Sequence, residues 1–285
     1  MNMAIHKNQN GPDGKLFEGL IKRLAGSLHL YKQYFMIQLK STMQYKTSFF
    51  LTALGQFLAS FNVFLGMYFM FQRFRNVRGY GYGEVLLCCG ILLMEFSLAE
   101  AFARGFDTFS SIISNGEFDR IMVRPRNEIF QVLASKIELT RIGRMLQAVV
   151  MFTYGIAKSH VEWTWDKVLT VVFMLLGGTA VFTGIFLIYA AICFFTIEGL
   201  EFMNVLTDGA REYGKYPVAI YGKRVLQFCT FVVPYALIQY YPICYILDKD
   251  SRGFYMFLPL LGGVFLLPCF GLWKLGVRHY KSVGS

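Results

Sequence analysis

The sequence predicts an all-α membrane protein with six transmembrane helices and an N-terminal cytoplasmic interfacial helix. It also places a short cytoplasmic helix between spans two and three and an extracellular re-entrant segment before the last span. Three observations carry that expectation. The stretches between Lys46 and Arg73, Lys167 and Glu198, Arg224 and Asp248, and Arg252 and Lys274 contain no Asp, Glu, Lys or Arg. A bilayer core takes roughly 20 apolar residues in a helix, and these runs are long enough. Hydrophobic residues make up 55% and aromatics 17% of the 285, which is too apolar for an ordinary soluble domain. The net charge of +10 sits beside the apolar runs rather than in one patch, a pattern that fits anionic lipid and excludes nucleic acid as the partner.

Taken in order, residues 1–14 read as a disordered polar tail without the apolar core of a cleavable signal peptide. Over 15–46, Phe17, Leu20, Ile21, Leu24, Leu28, Tyr31 and Phe35 recur at helical spacing among Lys15, Lys22, Arg23, Lys32 and Lys40. A basic amphipathic helix of this kind lies in the membrane interface. The remainder, 47–285, is the six-span domain.

The first span covers about 49–71 and the second about 85–104, the latter carrying Glu95 and Glu100. A soluble stretch, 105–127, follows. The third helix, about 128–157, is charged in its first half through Lys136, Glu138, Arg141 and Arg144. The fourth, about 168–197, carries Gly177, Gly178, Ala180, Thr183 and Gly184, small residues that allow close helix packing.

Residues 198–224 fit either a polar fifth span or a cytoplasmic segment, and the first is favoured. The stretch 225–247 contains Pro234 and Pro242, and broken backbone at membrane depth survives where protein or a watery cavity covers it. A re-entrant pair of short helices meets that condition. The last span covers about 254–273. Lys and Arg number fourteen in the segments 1–48, 104–126 and 274–285 against seven in the opposite set, which puts both termini in the cytoplasm; Arg73, Arg75 and Arg78 run against the trend.

Catalysis has little to work with here. No Gly-rich loop ends in Lys-Ser or Lys-Thr, so nothing cradles ATP phosphates. The four histidines, His6, His29, His160 and His279, lie outside the span interiors, leaving no base for hydrolysis. The six cysteines fall in apolar runs without metal-ligand spacing and read as reduced packing residues.

Charges inside spans cost at least about 2.5–3.5 kcal/mol each at mid-bilayer unless paired. Glu95, Glu100 and Arg104 face a third helix carrying Lys136, Arg141 and Arg144, so an intramembrane charge network is expected. It would serve either as structural ion pairing or as an acidic site for a cationic substrate. Glu198 and Glu201 read as structural pairs, whereas Asp208, Arg211 and Glu212 are candidates for a pathway lining. Tyr240 and Tyr241 are candidates for an outer gate.

The stretch 105–127 is the most telling. Asn115-Gly116 signals a turn, and Glu117 and Asp119 suit the first turn of a short helix with Phe118, Ile121 and Met122 on one face. The segment Asn115-Gly116-Glu117-Phe118-Asp119-Arg120-Ile121-Met122-Val123-Arg124-Pro125 resembles the coupling helix of type-2 ATP-binding-cassette (ABC) exporter permeases. Tyr216-Pro217-Val218-Ala219-Ile220-Tyr221, Val233-Pro234 and Tyr241-Pro242 resemble that family's proline-marked re-entrant segment. Gly222-Lys223-Arg224 departs from it, standing where a Pro is expected.

Gln72-Arg73-Phe74, Ala99-Glu100, Arg104-Gly105-Phe106-Asp107 and Arg141-Ile142-Gly143-Arg144 are similar to a subgroup of viologen-exporter-like permeases in which two related permeases accompany one ATPase. The resemblance covers about 20–285. It implies a non-catalytic permease in the plasma membrane, working with a second permease as a heterodimer and with a cytoplasmic ATPase dimer. ATP and magnesium would sit on that ATPase and no cofactor in this chain. Residues 117–122 would be the coupling helix, and efflux of amphipathic or cationic compounds the activity. Two other readings stand beside it: an ion-coupled secondary transporter using Glu95 or Glu100, and a membrane scaffold without transport.

Overall fold

The computed structural model describes residues 12–74, 76–196 and 202–282. It divides into two units, Met1–Tyr45 and Lys46–Ser285. The first is one helix, α1 (Pro12–Gln44). It opens at Pro12, so residues 12–14 join the helix rather than the expected tail. Proline suits a first helical turn, where its missing N–H has no acceptor to lose. Residues 1–11 lie outside the described residues.

The second unit begins with α2 (Lys46–Arg73) and α3 (Tyr82–Phe102). Three short helices follow, α4 (Arg104–Asp107), α5 (Phe109–Ser114) and α6 (Glu117–Met122). Then come α7 (Glu128–Ser135), a 3-10 turn (Leu139–Arg141), α8 (Ile142–Ser159) and α9 (Trp165–Cys193). The remainder is α10 (Phe202–Tyr213), a 3-10 turn (Val218–Tyr221), α11 (Lys223–Phe231), a π turn (Ala236–Tyr240) and α12 (Tyr241–Ile246). A 3-10 segment (Gly253–Leu260) runs straight into α13 (Leu261–His279).

Among the described residues, four helical stretches are long and apolar enough to cross a membrane: α2, α3, α9 and Gly253–His279. A fifth is added if the bent pair Lys223–Phe231 and Ala236–Ile246 is one crossing, so six are not reached by length and apolarity. The third expected span is the first reason. It is not one helix: α7 ends at Lys136, whose backbone is extended (φ −141°, ψ 119°). The Glu138 N–H then donates to the Ala101 carbonyl at 3.0 Å, tying the break to the end of α3. The polar fifth span expected over 198–224 is the second. Its described helix, α10, has twelve residues, about 18 Å at the usual rise, before the chain turns, and 197–201 lie outside the described residues.

α3 is the axis of the unit, with 83% of its apolar window buried against 6% for α2. α8 runs antiparallel along it. A Cβ at Gly90 would meet the Phe152 N at 2.9 Å, and one at Gly155 the Leu87 N at 2.9 Å, so the two backbones touch where glycine permits it. α9 also packs against α3, and α13 packs against α9.

The contacts define two ends. At one, the Tyr80 end, Lys249 bonds Glu84 at 2.8 Å, Lys167 bonds Asp248 at 2.7 Å and Tyr245 bonds Asp166 at 2.6 Å. At the other, the Trp273 end, Phe194, Phe118 and Trp273 meet, and Arg141 and Arg144 reach Glu100.

α11 and the Ala236–Ile246 stretch are bent by 99°. Ile220, Ile243 and Ile246 share a cluster with Tyr80, whereas Val233 and Tyr235 at the bend join the cluster of Phe96, Phe182 and Trp273. The chain therefore dips inward from the Tyr80 end and returns to it. Gly222, with φ +101°, makes the turn into α11 where the resemblance led to a proline.

Candidate functional site

Two features gather the residues singled out by sequence, and both lie at the Trp273 end. The first is α6. Gly116 takes the left-handed conformation (φ +66°) that lets the chain double back into Glu117. Phe118 is fully buried, not on a docking face as expected. Its ring lies 5.4 Å from Phe109, 5.0 Å from Phe194, 6.2 Å from Trp273 and 5.0 Å from Tyr280. Burial of one Phe contributes about 1.5–3 kcal/mol, and each well-placed ring pair adds about 0.5–1.5. Phe118 is thus the anchor of α6.

Ile121 is half-buried against the same cluster. What α6 presents outward is Glu117, Arg120, Met122 and Val123, the last two 50% and 83% exposed. Asp119 faces the chain's own tail, accepting from the Tyr280 hydroxyl at 3.0 Å and from Ser282 at 2.7 Å. Burial, with the bond to Asp119, pushes the Tyr280 phenol up to about 12. The tail strap was not foreseen from sequence, because nothing local links Tyr280 to Asp119.

The second feature is a chamber of about 260 Å³ lined by Phe96, Glu100, Arg104, Asp107, Arg141, Arg144, Phe186, Thr207, Asp208 and Arg211. Glu100 is its hub: Arg144 bonds it directly, Arg141 lies at 3.5 Å and Arg104 at 3.6 Å. Arg104 also pairs with Asp107, and Arg211 lies 3.3 Å from Asp208 and 3.6 Å from Glu212. Burial pushes the Asp107 carboxyl above its usual range, against the pull of Arg104. The guanidinium carbons of Arg144 and Arg211 stand 5.8 and 5.5 Å from the Phe96 ring centroid. Gln56 of α2 accepts from Arg144 at 3.2 Å. Sequence reasoning missed Gln56 and Phe96, neutral residues with no pattern to mark them.

Two residues of the expected charge network are not in it. Lys136 is exposed, on extended backbone in the break after α7. Glu95 is fully buried, and among the described residues neither of its carboxylate oxygens has a hydrogen-bond partner. It lies against Gly178 of α9, where an added Cβ would collide with the carboxyl group. Glu198 and Glu201 lie outside the described residues.

The pathway candidates separate as well. Asp208 and Arg211 line the chamber, and Arg211 and Glu212 line a neighbouring 180 Å³ cavity with Gln56, Arg144 and Lys215. Tyr240 and Tyr241 sit apart from them, half-buried, their rings 5.2 Å from each other. Tyr241 is also 5.2 Å from the Tyr255 ring. A third cavity, about 250 Å³, is lined by Leu92, Val205, Leu206, Tyr213, Gly214, Val218, Val225, Phe228, Cys229, Tyr235 and Gln239.

Among known proteins, the family model described as ABC-2 family transporter protein matches residues 57–284. No curated protein and no solved structure matches the chain.

Proposed function

The chain belongs to the ABC-2 family of transporter proteins and is a multi-pass membrane protein; from that premise we propose that it is the permease subunit of an ABC exporter, driven by a separate cytoplasmic ATPase. The observation that carries the coupling part of this reading is α6: a six-residue helix pinned by buried Phe118 and showing Met122 and Val123 to the outside. An apolar pair on an anchored peg is what a partner's cleft can grip and push. The permease itself then has no catalytic role, and ATP with magnesium belongs to the partner. Work enters because the closed ATPase pair binds ATP more tightly than the open one.

In this reading the Trp273 end is cytoplasmic, where the basic loops concentrate. α2, α3, α8, α9, α10 with its following turn, and Gly253–His279 are the six spans of a plasma-membrane protein. α8 qualifies because it follows α3 end to end despite its charged start. The pair α11–α12 is the extracellular re-entrant segment, α1 is the interfacial helix, and both termini are cytoplasmic. Six spans leave the largely exposed face of α2 to lipid or to a second permease, and the subgroup resemblance favours a distinct chain as that partner.

The test is capture of the tagged full-length chain in mild detergent from its source membranes. Wild type is expected to bring down an ABC ATPase. The double variant Met122→Asp, Val123→Asp, which leaves Phe118 in place, is expected to elute as a monodisperse protein with at least tenfold less ATPase. Wild type eluting without any ATPase overturns the reading.

A further inference from the structure

The 250 Å³ cavity and the 260 Å³ chamber share two helices: Leu92 faces the first and Phe96, one turn on along α3, the second, while the adjacent Leu206 and Thr207 of α10 face one each. Their chemistry is opposite. The first is walled by apolar side chains and aromatic rings, whereas the second holds Arg104, Arg141, Arg144 and Arg211 against Glu100, Asp107 and Asp208.

The sign of any guest follows from which groups are already used. Glu100 serves three guanidinium groups, Asp107 serves Arg104, and Asp208 serves Arg211. A cation entering the chamber therefore finds each carboxylate engaged. A guanidinium, by contrast, has five N–H donors. Those of Arg104 and Arg141 keep a buried Nε–H without an acceptor among the described residues. Surplus donors and, among the described residues lining the chamber, four positive charges against three negative ones call for an oxyanion, which arginine binds in bidentate fashion. In the neighbouring cavity Lys215 is paired with Glu212, which also lies 3.6 Å from Arg211, so the excess of one positive charge is the same when both cavities are counted.

We propose that the two compartments together bind an anionic amphiphile, its oxyanion head in the arginine chamber and its hydrocarbon tail in the apolar cavity between α3, α10 and α11. Calling that molecule the cargo rests on the permease reading; the binding itself does not. Such a guest is charged oppositely to the organic cations implied by the subgroup resemblance.

The experiment uses the full chain captured with its ATPase in neutral maltoside micelles and counts bound molecules by native mass spectrometry. The probes are dodecyl phosphate, dodecyltrimethylammonium with the same tail, and inorganic phosphate. One dodecyl phosphate per chain is expected, at least about tenfold tighter than either other probe, a margin one good charge-assisted bond supplies. Arg211→Gln, on the rim of the chamber, is expected to weaken it about tenfold. Cys229→Trp, which fills the apolar cavity, is expected to remove the tail-dependent gain and leave inorganic phosphate binding as it was.

Equal or tighter binding of the ammonium probe overturns the proposal. So does inorganic phosphate binding as tightly as dodecyl phosphate, or indifference to both substitutions. ATPase in the same eluate reports on the permease reading separately: its presence without dodecyl phosphate binding sinks this inference alone, and its absence sinks the permease reading while binding is judged from the spectra.

Discussion

Glu95 and Glu100 lie on one helix, five residues apart, and their surroundings differ in nearly every respect. Glu100 gathers Arg104, Arg141 and Arg144 at the Trp273 end and borders an open chamber. Glu95 points about 140° away around the helix, into the packed seam with α9, where Gly178 makes room for it and, among the described residues, no donor meets it. A charge in an apolar span is therefore not one kind of signal. One of these carboxylates organises a polar compartment that the sequence charges announce. The other is a packing group whose cost the fold carries elsewhere.

The largest expected effect is at Glu100. Glu100→Gln leaves three arginines, two of them only 12% and 13% exposed, around a neutral amide. Removing one partner of a buried charge pair typically destabilises by about 3–5 kcal/mol, since the other charge stays buried. The thermal midpoint in detergent is expected to fall sharply, and adding Arg144→Met is expected to recover part of the loss. A midpoint equal to wild type would show that the arginines find solvent without Glu100 and would erase the contrast.

Next comes Gly178→Ala. A methyl group there occupies the position of the Glu95 carboxyl, and overpacking of this kind costs about 1–3 kcal/mol. Combining it with Glu95→Ala is expected to return most of that loss, because the two changes share one space. Additive losses in the double variant would mean that Gly178 serves some contact other than Glu95.

The sequence made much of this architecture legible, and its failures have a common cause. The uncharged runs marked α2, α9 and the last span because membrane burial is written in local composition. Asn115-Gly116-Glu117 marked α6 because turn and first-turn chemistry are local too. Which face of α6 points inward was not readable: Phe118 is held by Phe194, Trp273 and Tyr280, all distant in the chain. The break at Lys136 was hidden for the same reason, being set by the Ala101 carbonyl at the end of α3. Within the charge network, the residues brought together, Glu100, Arg104, Arg141 and Arg144, lie at the ends of their helices, where charge is easily accommodated. The one that falls outside it from mid-helix, Glu95, is separated by a turn and a half that helical periodicity already implied.

The smallest effect is expected at Glu95 itself, and it bears most directly on mechanism. Glu95→Gln keeps the shape of the side chain and removes no hydrogen bond, since the carboxylate has none among the described residues. A change below about 1 kcal/mol in stability is expected, well under that of Glu100→Gln. An ion-coupled carrier built on Glu95 would need that carboxyl to exchange its ion with water, yet the group is fully buried beneath α9. Transport by the Glu95→Gln protein, measured in vesicles supplied with the ATPase and ATP, is accordingly expected to stay within about twofold of wild type, a difference of roughly 0.4 kcal/mol. Loss of transport with the midpoint unchanged would instead make Glu95 the working group, and Glu100 the scaffold.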